Sequence, residues 1–285
     1  MYKVLIATDF SKAARNATLY GLQLAKEINA RIILFNAFNI PTPATGLNVG
    51  ISRFSVWTQI DQKIKTEAET FRYLNMPSME TLCDEGNPVK AIRNVAKKNE
   101  VDFIVIGMKG SGKNFRKIFG STATSLAKQT KIPVIIIPES AIFLTLKNIA
   151  FANDAVINSD KEVPKNLKKI IDLFKSKLKV VKVVEDKHTE VLRTFNNADD
   201  LKKNIYSFDT AFEYPASTDV RDALNTFIKK HHCDMLVMMP HKHDFIERLF
   251  KKSETEDMIF HTSIPLLVLP EVSTKHLQAE KLVTQ

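Results

Sequence analysis

Gly107, Gly110 and Gly120, followed at once by Ser121 and Thr122, have the types and spacing of a phosphate-binding loop. Glycine adopts positive φ without steric cost and lets backbone approach a ligand closely. The N–H groups of such a loop, two hydroxyls and the start of a helix together suit an anion. Lys109, Lys113, Arg116 and Lys117 lie inside the same stretch. A second motif overlaps it, since Gly107 to Lys113 fits the opening of a Walker A loop. That motif ends in a Ser or Thr that holds Mg²⁺. Asn114 stands there instead, and the run meets Gly120 rather than a long helix. Both departures count against a Walker loop.

The flanking segments say what must position these residues. Val101 to Ile106 is a short apolar, β-branched run of the kind found in buried parallel strands. Ala123 to Thr130 reads as a helix and Ile132 to Pro138 as another buried strand. The glycines therefore lie between the carboxyl end of a strand and the start of a helix, the edge at which open α/β sheets bind ligands. Upstream, Lys3 to Asp9 is a strand, and Ser11 is the N-cap of a helix with Ala14, Ala17, Gly21, Leu24, Ala25 and Ile28 on one face. Arg31 to Phe38 is a second strand. Residues 39–52 are rich in Pro, Gly, Thr and Asn and read as a loop. Val56, Ile60, Ile64, Ala68 and Phe71 mark a helix closed by Pro77, and Met79 to Cys83 a third strand. Asn87-Pro88 supplies an N-cap and an N1 proline for a helix that turns Ile92, Val95 and Ala96 inward. Such alternation predicts an α/β fold: a parallel sheet, right-handed crossovers and helices on both faces.

The pattern then repeats. Cys233 to Met238 matches Val101 to Ile106, and Ser263 to Glu271 matches Lys131 to Glu139, both offset by 132 residues. Ala152-Asn-Asp matches Ala7-Thr-Asp at an offset of 145, so the second copy is shorter between its first and fourth strands. The shortening is expected in the counterpart of the 39–52 loop, with Thr189 to Ile205 helical after the strand at Val180. Leu167, Ile170, Ile171, Phe174 and Leu178 repeat the face of the first helix. Two domains are expected, residues 1–140 and 141–285, with Ser140 to Lys147 as linker and Glu271 to Gln285 as a polar tail.

Composition limits the function classes. At 285 residues, 44% hydrophobic and 26% charged, the chain has the make-up of a globular protein with room for two cores. No apolar run reaches membrane-spanning length, and the first residues enter a strand pattern rather than a signal peptide, so no membrane partner is expected. Cys83 and Cys233 are too few for a disulfide framework and are expected to be buried, inert thiols in a reducing, cytoplasmic setting. The net charge of +9 is uneven: residues 1–140 carry 19 Lys and Arg against 11 Asp and Glu, and residues 141–285 carry 22 against 21. The excess sits in the half with the glycine loop, which fits a small polyanion. No helix-turn-helix, zinc finger or aromatic-studded RNA motif is present, so nucleic acid is not an expected partner.

Gly107, two residues, Gly110, nine residues, Gly120 and then Ser121 resembles the ATP-binding signature of the universal stress protein family, and the resemblance extends over nearly the whole chain. It implies two five-stranded parallel-sheet sandwiches of the adenine-nucleotide α-hydrolase-like, Rossmann-like kind. It implies ATP as ligand, with or without Mg²⁺, or else AMP or ADP. By resemblance, Ala7 and Asp9 follow the first strand, Ala37 lies against the adenine, and Ile106, Gly107 and Gly110 follow the fourth strand. Gly120, Ser121 and Thr122 would take the phosphates. The family's usual histidine before Ala37 is Asn36 here. The fifth strands, Ile132–Pro138 and Ile264–Pro270, are edge strands in the family. They are expected to pack the two copies as a pseudo-twofold internal dimer, with a homodimer of whole chains open.

The second copy has lost the loop. All eight glycines lie in residues 1–140, and Met239, Lys242 and Lys252 stand where Gly107, Gly110 and Gly120 would be. Glu254 and Glu256 follow, so nucleotide is expected in the first copy only. His241, His243 and Asp244 occupy the lost loop and read as solvated residues rather than as a metal site, because no ligand quartet accompanies them. No catalytic base, nucleophile or metal-binding carboxylate pair accompanies the glycines. A stress-response regulator is expected, with slow ATP hydrolysis as its upper limit. Two alternatives stand beside it. An adenylating enzyme would need a Ser-Gly-Gly-x-Asp-Ser-like loop where Thr8-Asp9-Phe10-Ser11-Lys12 stands. A pure interaction scaffold would make the nucleotide irrelevant.

Overall fold

The computed structural model describes residues 1–40, 53–73, 77–108, 121–152, 165–183, 210–213, 215, 217, 219–239 and 263–270. The first half runs β1 (Lys3–Ala7), α1 (Lys12–Glu27), β2 (Arg31–Phe38), α2 (Arg53–Tyr73), β3 (Glu80–Glu85), α3 (Pro88–Lys98), β4 (Phe103–Met108), α4 (Ser121–Gln129) and β5 (Val134–Pro138). The second runs β6 (Asn148–Ala152), α5 (Lys165–Phe174), β7 (Lys177–Val181), β8 (Thr210–Glu213), α6 (Val220–Lys230), β9 (Met235–Met238) and β10 (Leu266–Val268).

The ten strands among the described residues lie in one sheet, ordered β3-β2-β1-β4-β5-β10-β9-β6-β7-β8. Neighbours pair in parallel except at the centre, where β5 and β10 run antiparallel with Ile136 opposite Leu266, Ile135 opposite Leu267 and Val134 opposite Val268. The two fifth strands meet edge to edge, so the described strands form one continuous sheet. The apolar fifth strands satisfy each other's backbone groups instead of presenting two open edges.

Alternation along the strands feeds two cores. Val4, Ile6, Leu34, Val105 and Ile137 point to the face covered by α1, α2 and α5, which contribute Leu24, Ile64 and Ile170. Leu5, Phe35, Ile104 and Ile136 point to the face covered by α3, α4 and α6, which contribute Ile92, Leu126 and Phe227. Each core runs unbroken from the first half into the second.

Local chemistry sets the helix boundaries. Ser11 caps α1 by accepting the Ala14 N–H at 3.2 Å, and Asn87 caps α3 by accepting from Val89 and Lys90, with Pro88 just inside. Asn29, Glu100, Lys175 and His232 each end a helix in the left-handed region, at φ of 47–53°. This stop at Lys175 moves Leu178 out of the expected helical face: it is a buried residue of β7. Cys233 is buried as expected, whereas Cys83, on the edge strand β3, is only half-buried. The segment Thr189 to Ile205 and the tail from Glu271 lie outside the described residues.

Candidate functional site

The carboxyl ends of β1, β2 and β4 converge at the edge named by the sequence. Ala7 is in register with Ile106 on one side and Phe35 on the other. Ala37 continues β2 beyond the end of β1 and pairs with Asp84 of β3. Ala7, Ala37 and Ile106 lie toward the face of α3 and α4. Asp9 is exposed and accepts the Ser11 N–H at 2.9 Å, so its carboxylate also supports the start of α1.

Gly107 has a structural duty of its own. It pairs with Ile137 of β5, and a Cβ built on it would stand 2.6 Å from the Ala13 carbonyl oxygen and 2.9 Å from the Ala14 nitrogen. The first turn of α1 thus rests directly on the β4 backbone. Gly21, farther along α1, is nearly as tight, 2.8 Å from Ile6 Cδ1. Asn16 fixes the same helix to the end of β5 by donating to the carbonyls of Pro138 at 2.9 Å and Ala141 at 3.0 Å. Helix α4 opens at Ser121, and Thr122 is half-buried at its first turn. Gly110, Gly120 and the basic residues Lys109, Lys113, Arg116 and Lys117 lie outside the described residues, as do Met239's downstream neighbours Lys242, His241, His243 and Lys252.

Sequence reasoning missed a buried polar group on the α1/α2 side of this edge. Thr8, Asn36 and Glu67 are 5%, 5% and 6% exposed. Asn36 Nδ2 donates to the Thr8 carbonyl at 2.7 Å, and the Thr8 hydroxyl is 3.4 Å from Glu67 Oε1. The Phe10 N–H donates to Thr8 Oγ at 3.0 Å. Phe10 itself sits at φ 63°, a strained position for an aromatic residue, with Lys63 Nζ 4.2 Å above its ring. Burial pushes the Glu67 carboxyl above its ordinary range. The Arg15 charge, the Thr8 hydroxyl and Lys63 offset part of that rise, and Asp9 adds to it. A usable signal was the helical stripe Ile64, Ala68 and Phe71, since position 67 falls on the same face of α2.

Ala7 and Ala37 carry small side chains, Asp9 is an exposed carboxylate, and α4 begins directly after residue 120. Among the described residues no group of three or more His, Cys, Asp or Glu is placed to hold a metal ion. No helix among them is long and apolar enough to cross a membrane.

Comparison with known proteins agrees with this architecture. The sequence pattern of the universal stress protein family matches residues 1–138 and 215–270. A universal stress protein of Methanocaldococcus jannaschii is 28% identical over 142 residues, covering 47% of this chain and 81% of that protein. The stress response protein NhaX of Bacillus subtilis is 27% identical over 160 residues, covering 47% and 96%. Among solved structures, a universal stress protein from Archaeoglobus fulgidus superposes with a TM-score of 0.61 at 15% identity, over 94% of this chain and 98% of that one. A putative universal stress protein from Pseudomonas aeruginosa gives 0.55 at 13%, over 100% and 98%. At these identities the structural likeness shows a shared α/β fold with a mostly parallel sheet. The family pattern spans more than half of the sequence, and the chain belongs to the universal stress protein family.

Proposed function

We propose that this protein is an adenine-nucleotide-binding stress-response regulator with one nucleotide site, at the carboxyl edge of β1, β2 and β4. The observation that carries the reading is the convergence of Ala7, Asp9, Ala37 and Ile106 at that edge, with the ends of the glycine loop, Met108 and Ser121, closing β4 and opening α4. ATP is the favoured ligand, with AMP and ADP as alternatives. Gly110, Gly120, Ser121 and Thr122 would receive its phosphates through N–H and hydroxyl donors.

In this reading residues 1–140 and 141–285 are tandem universal stress protein domains paired about a pseudo-twofold axis at β5 and β10. Only the first keeps the glycines. Met239 stands where Gly107 would be, directly after β9, and at Gly107 a Cβ would collide with the Ala13 backbone. The protein acts in the cytoplasm, needs neither nucleic acid nor membrane, and hydrolyses ATP slowly if at all.

The test is mass spectrometry of nucleotide released from freshly purified, denatured protein, quantified per chain. About one adenine nucleotide per chain is expected. None, together with no thermal shift on adding ATP and Mg²⁺, would overturn the reading in favour of a scaffold. One observation favours that second reading: Ile142 and Leu144, two residues apart in the segment joining the halves, are 77% and 75% exposed.

A further inference from the structure

Glu67 is the only carboxylate among the buried residues described, and the group around it lacks a donor. Glu67 Oε2 and Asn36 Oδ1 are both buried acceptors without a hydrogen-bond partner among the described residues. The neutral donors of the group are already engaged. Asn36 Nδ2 serves the Thr8 carbonyl, and the Thr8 hydroxyl faces Glu67 Oε1. An unmet buried acceptor costs free energy, and a buried unpaired charge costs more. A proton on Glu67 turns one of the two acceptors into a donor and removes the charge.

The group is joined to the candidate site through the backbone. Thr8 precedes Asp9, its hydroxyl accepts the N–H of Phe10, and Phe10 is held in the left-handed region where an aromatic residue does not rest unaided. The Asp9 carboxylate in turn accepts the Ser11 N–H at the start of α1. Whatever fixes Thr8 therefore fixes the turn that presents Asp9.

We propose that Glu67 is a positioning residue for the Asp9 turn: as the neutral acid it holds Thr8 and Asn36 so that Phe10 and Asp9 keep their places, and its ionisation loosens that turn. The charged groups that act on Glu67 are Arg15 of α1, Lys63 of α2 and Asp9 of the turn. Arg15, the Thr8 hydroxyl and Lys63 favour the carboxylate, whereas burial and Asp9 favour the acid, and burial is the largest of these influences. Its bearing on ligand affinity rests on the nucleotide reading above. An anionic ligand beside Asp9 would favour the acid further, and by linkage the acid favours the ligand.

The experiment compares the full-length wild type with Glu67→Gln, a neutral group of the same shape that both donates and accepts. Amide hydrogen exchange at Phe10 and Ser11 is read at matched pH between about pH 5 and about pH 8, spanning the range above the ordinary Glu value of about 4.3. Near-equal protection is expected at the acid end, with the wild type losing up to about tenfold relative to the variant for each pH unit between the ordinary Glu value and the raised value of Glu67, and nothing further above it. A wild-type to variant ratio that stays flat with pH overturns the proposal. ATP titration of both proteins separates it from the functional reading. Exchange that follows Glu67 with no ATP binding at any pH sinks the nucleotide site and leaves this inference standing. ATP affinity whose pH profile is the same in both proteins does the reverse. If Glu67→Gln does not fold, the carboxyl ¹³C shift of Glu67 in labelled wild type decides: a carboxyl already ionised at about pH 5 overturns the proposal.

Discussion

Gly107 lies against the first turn of α1, where a Cβ would stand 2.6 Å from the carbonyl oxygen of Ala13. The atoms it would meet are backbone, so no side-chain rotation relieves the contact. Gly107→Ala should push α1 off β4 and destabilise the fold by about 1–3 kcal/mol. Chemical denaturation of the two proteins measures this. An unchanged midpoint would show that Gly107 is free to serve a ligand alone.

The two aspartates just ahead of β4 and β9 make corresponding bonds in the two halves of the sheet, one at Asp102 and two at Asp234. Asp102 Oδ2 accepts the Lys3 N–H at 2.9 Å, and Asp234 Oδ2 accepts the N–H groups of Lys147 and Asn148, each at 2.8 Å. Each carboxylate thereby fixes where the neighbouring strand, β1 or β6, begins. Asp234→Ala leaves two N–H groups without their acceptor and should cost about 1–3 kcal/mol, with Asp102→Ala at the lower end. The sites share no partner, so the double variant should lose the sum within about 0.5 kcal/mol. Equilibrium unfolding of the three variants checks both statements.

Some of this was legible in the sequence because local chemistry decides it. Ser11, Asn87 and Pro88 announce helix starts whatever the tertiary surroundings, and the apolar runs of β4 and β5 admit few readings other than buried strands. Ala7 and Ile106 are named through the family resemblance, and the pairing of β1 with β4 puts them in register. What escaped depends on which backbone approaches which. A sequence shows a glycine at position 107 but not that Ala13 lies above it. Glu67 reads as an ordinary helix residue until the Thr8 hydroxyl is brought within 3.4 Å of it. Leu178 continued a helical stripe on paper, and the left-handed turn at Lys175 placed it in a strand.

The edge strand β8 is tied to α6 through Glu213, which receives Lys230 Nζ at 3.1 Å and lies 2.7 Å from His231 Nε2. Burial alone would raise the Glu213 carboxyl, but the hydrogen bond from Lys230, together with the charges of His231 and Lys230, holds it below the ordinary range. A folded value below the unfolded one means a contribution that is complete above the unfolded value of about 4.3 and is lost as pH falls through the folded value. Glu213→Gln should therefore cost about 0–1 kcal/mol at neutral pH, and the difference from wild type should shrink towards zero in acid. A difference that grows on acidification would contradict this assignment.

Cys233 sits just ahead of β9, and burial followed by the charge of Asp234 pushes its thiol up to about 12. The thiolate is the reactive form, so native protein at about pH 8 should resist iodoacetamide at Cys233 until it unfolds. Cys83 is half-buried, with its thiol also raised, first by burial and then by Asp61 and Asp84, and should react slowly. Peptide mapping after timed alkylation ranks the two. Faster labelling of Cys233 would mean that the β9 end of the sheet opens in the native state.

Nucleotide stoichiometry separates the two halves of the chain. If only the edge beside Gly107 binds, calorimetric titration with ATP should give about one site per chain, and Gly120→Val should abolish it while the thermal midpoint of the apoprotein stays put. Asp9→Ala should weaken binding about tenfold by removing one charge-assisted hydrogen bond, with a small loss of stability from the Ser11 N–H it supports. Asp154 stands at the corresponding place in the second half, beside no glycine, so Asp154→Ala should leave ATP affinity unchanged. Two sites per chain, or equal effects of Asp9→Ala and Asp154→Ala, would mean that a loop without glycine binds as well as one with it, and the division of labour between the halves would fall.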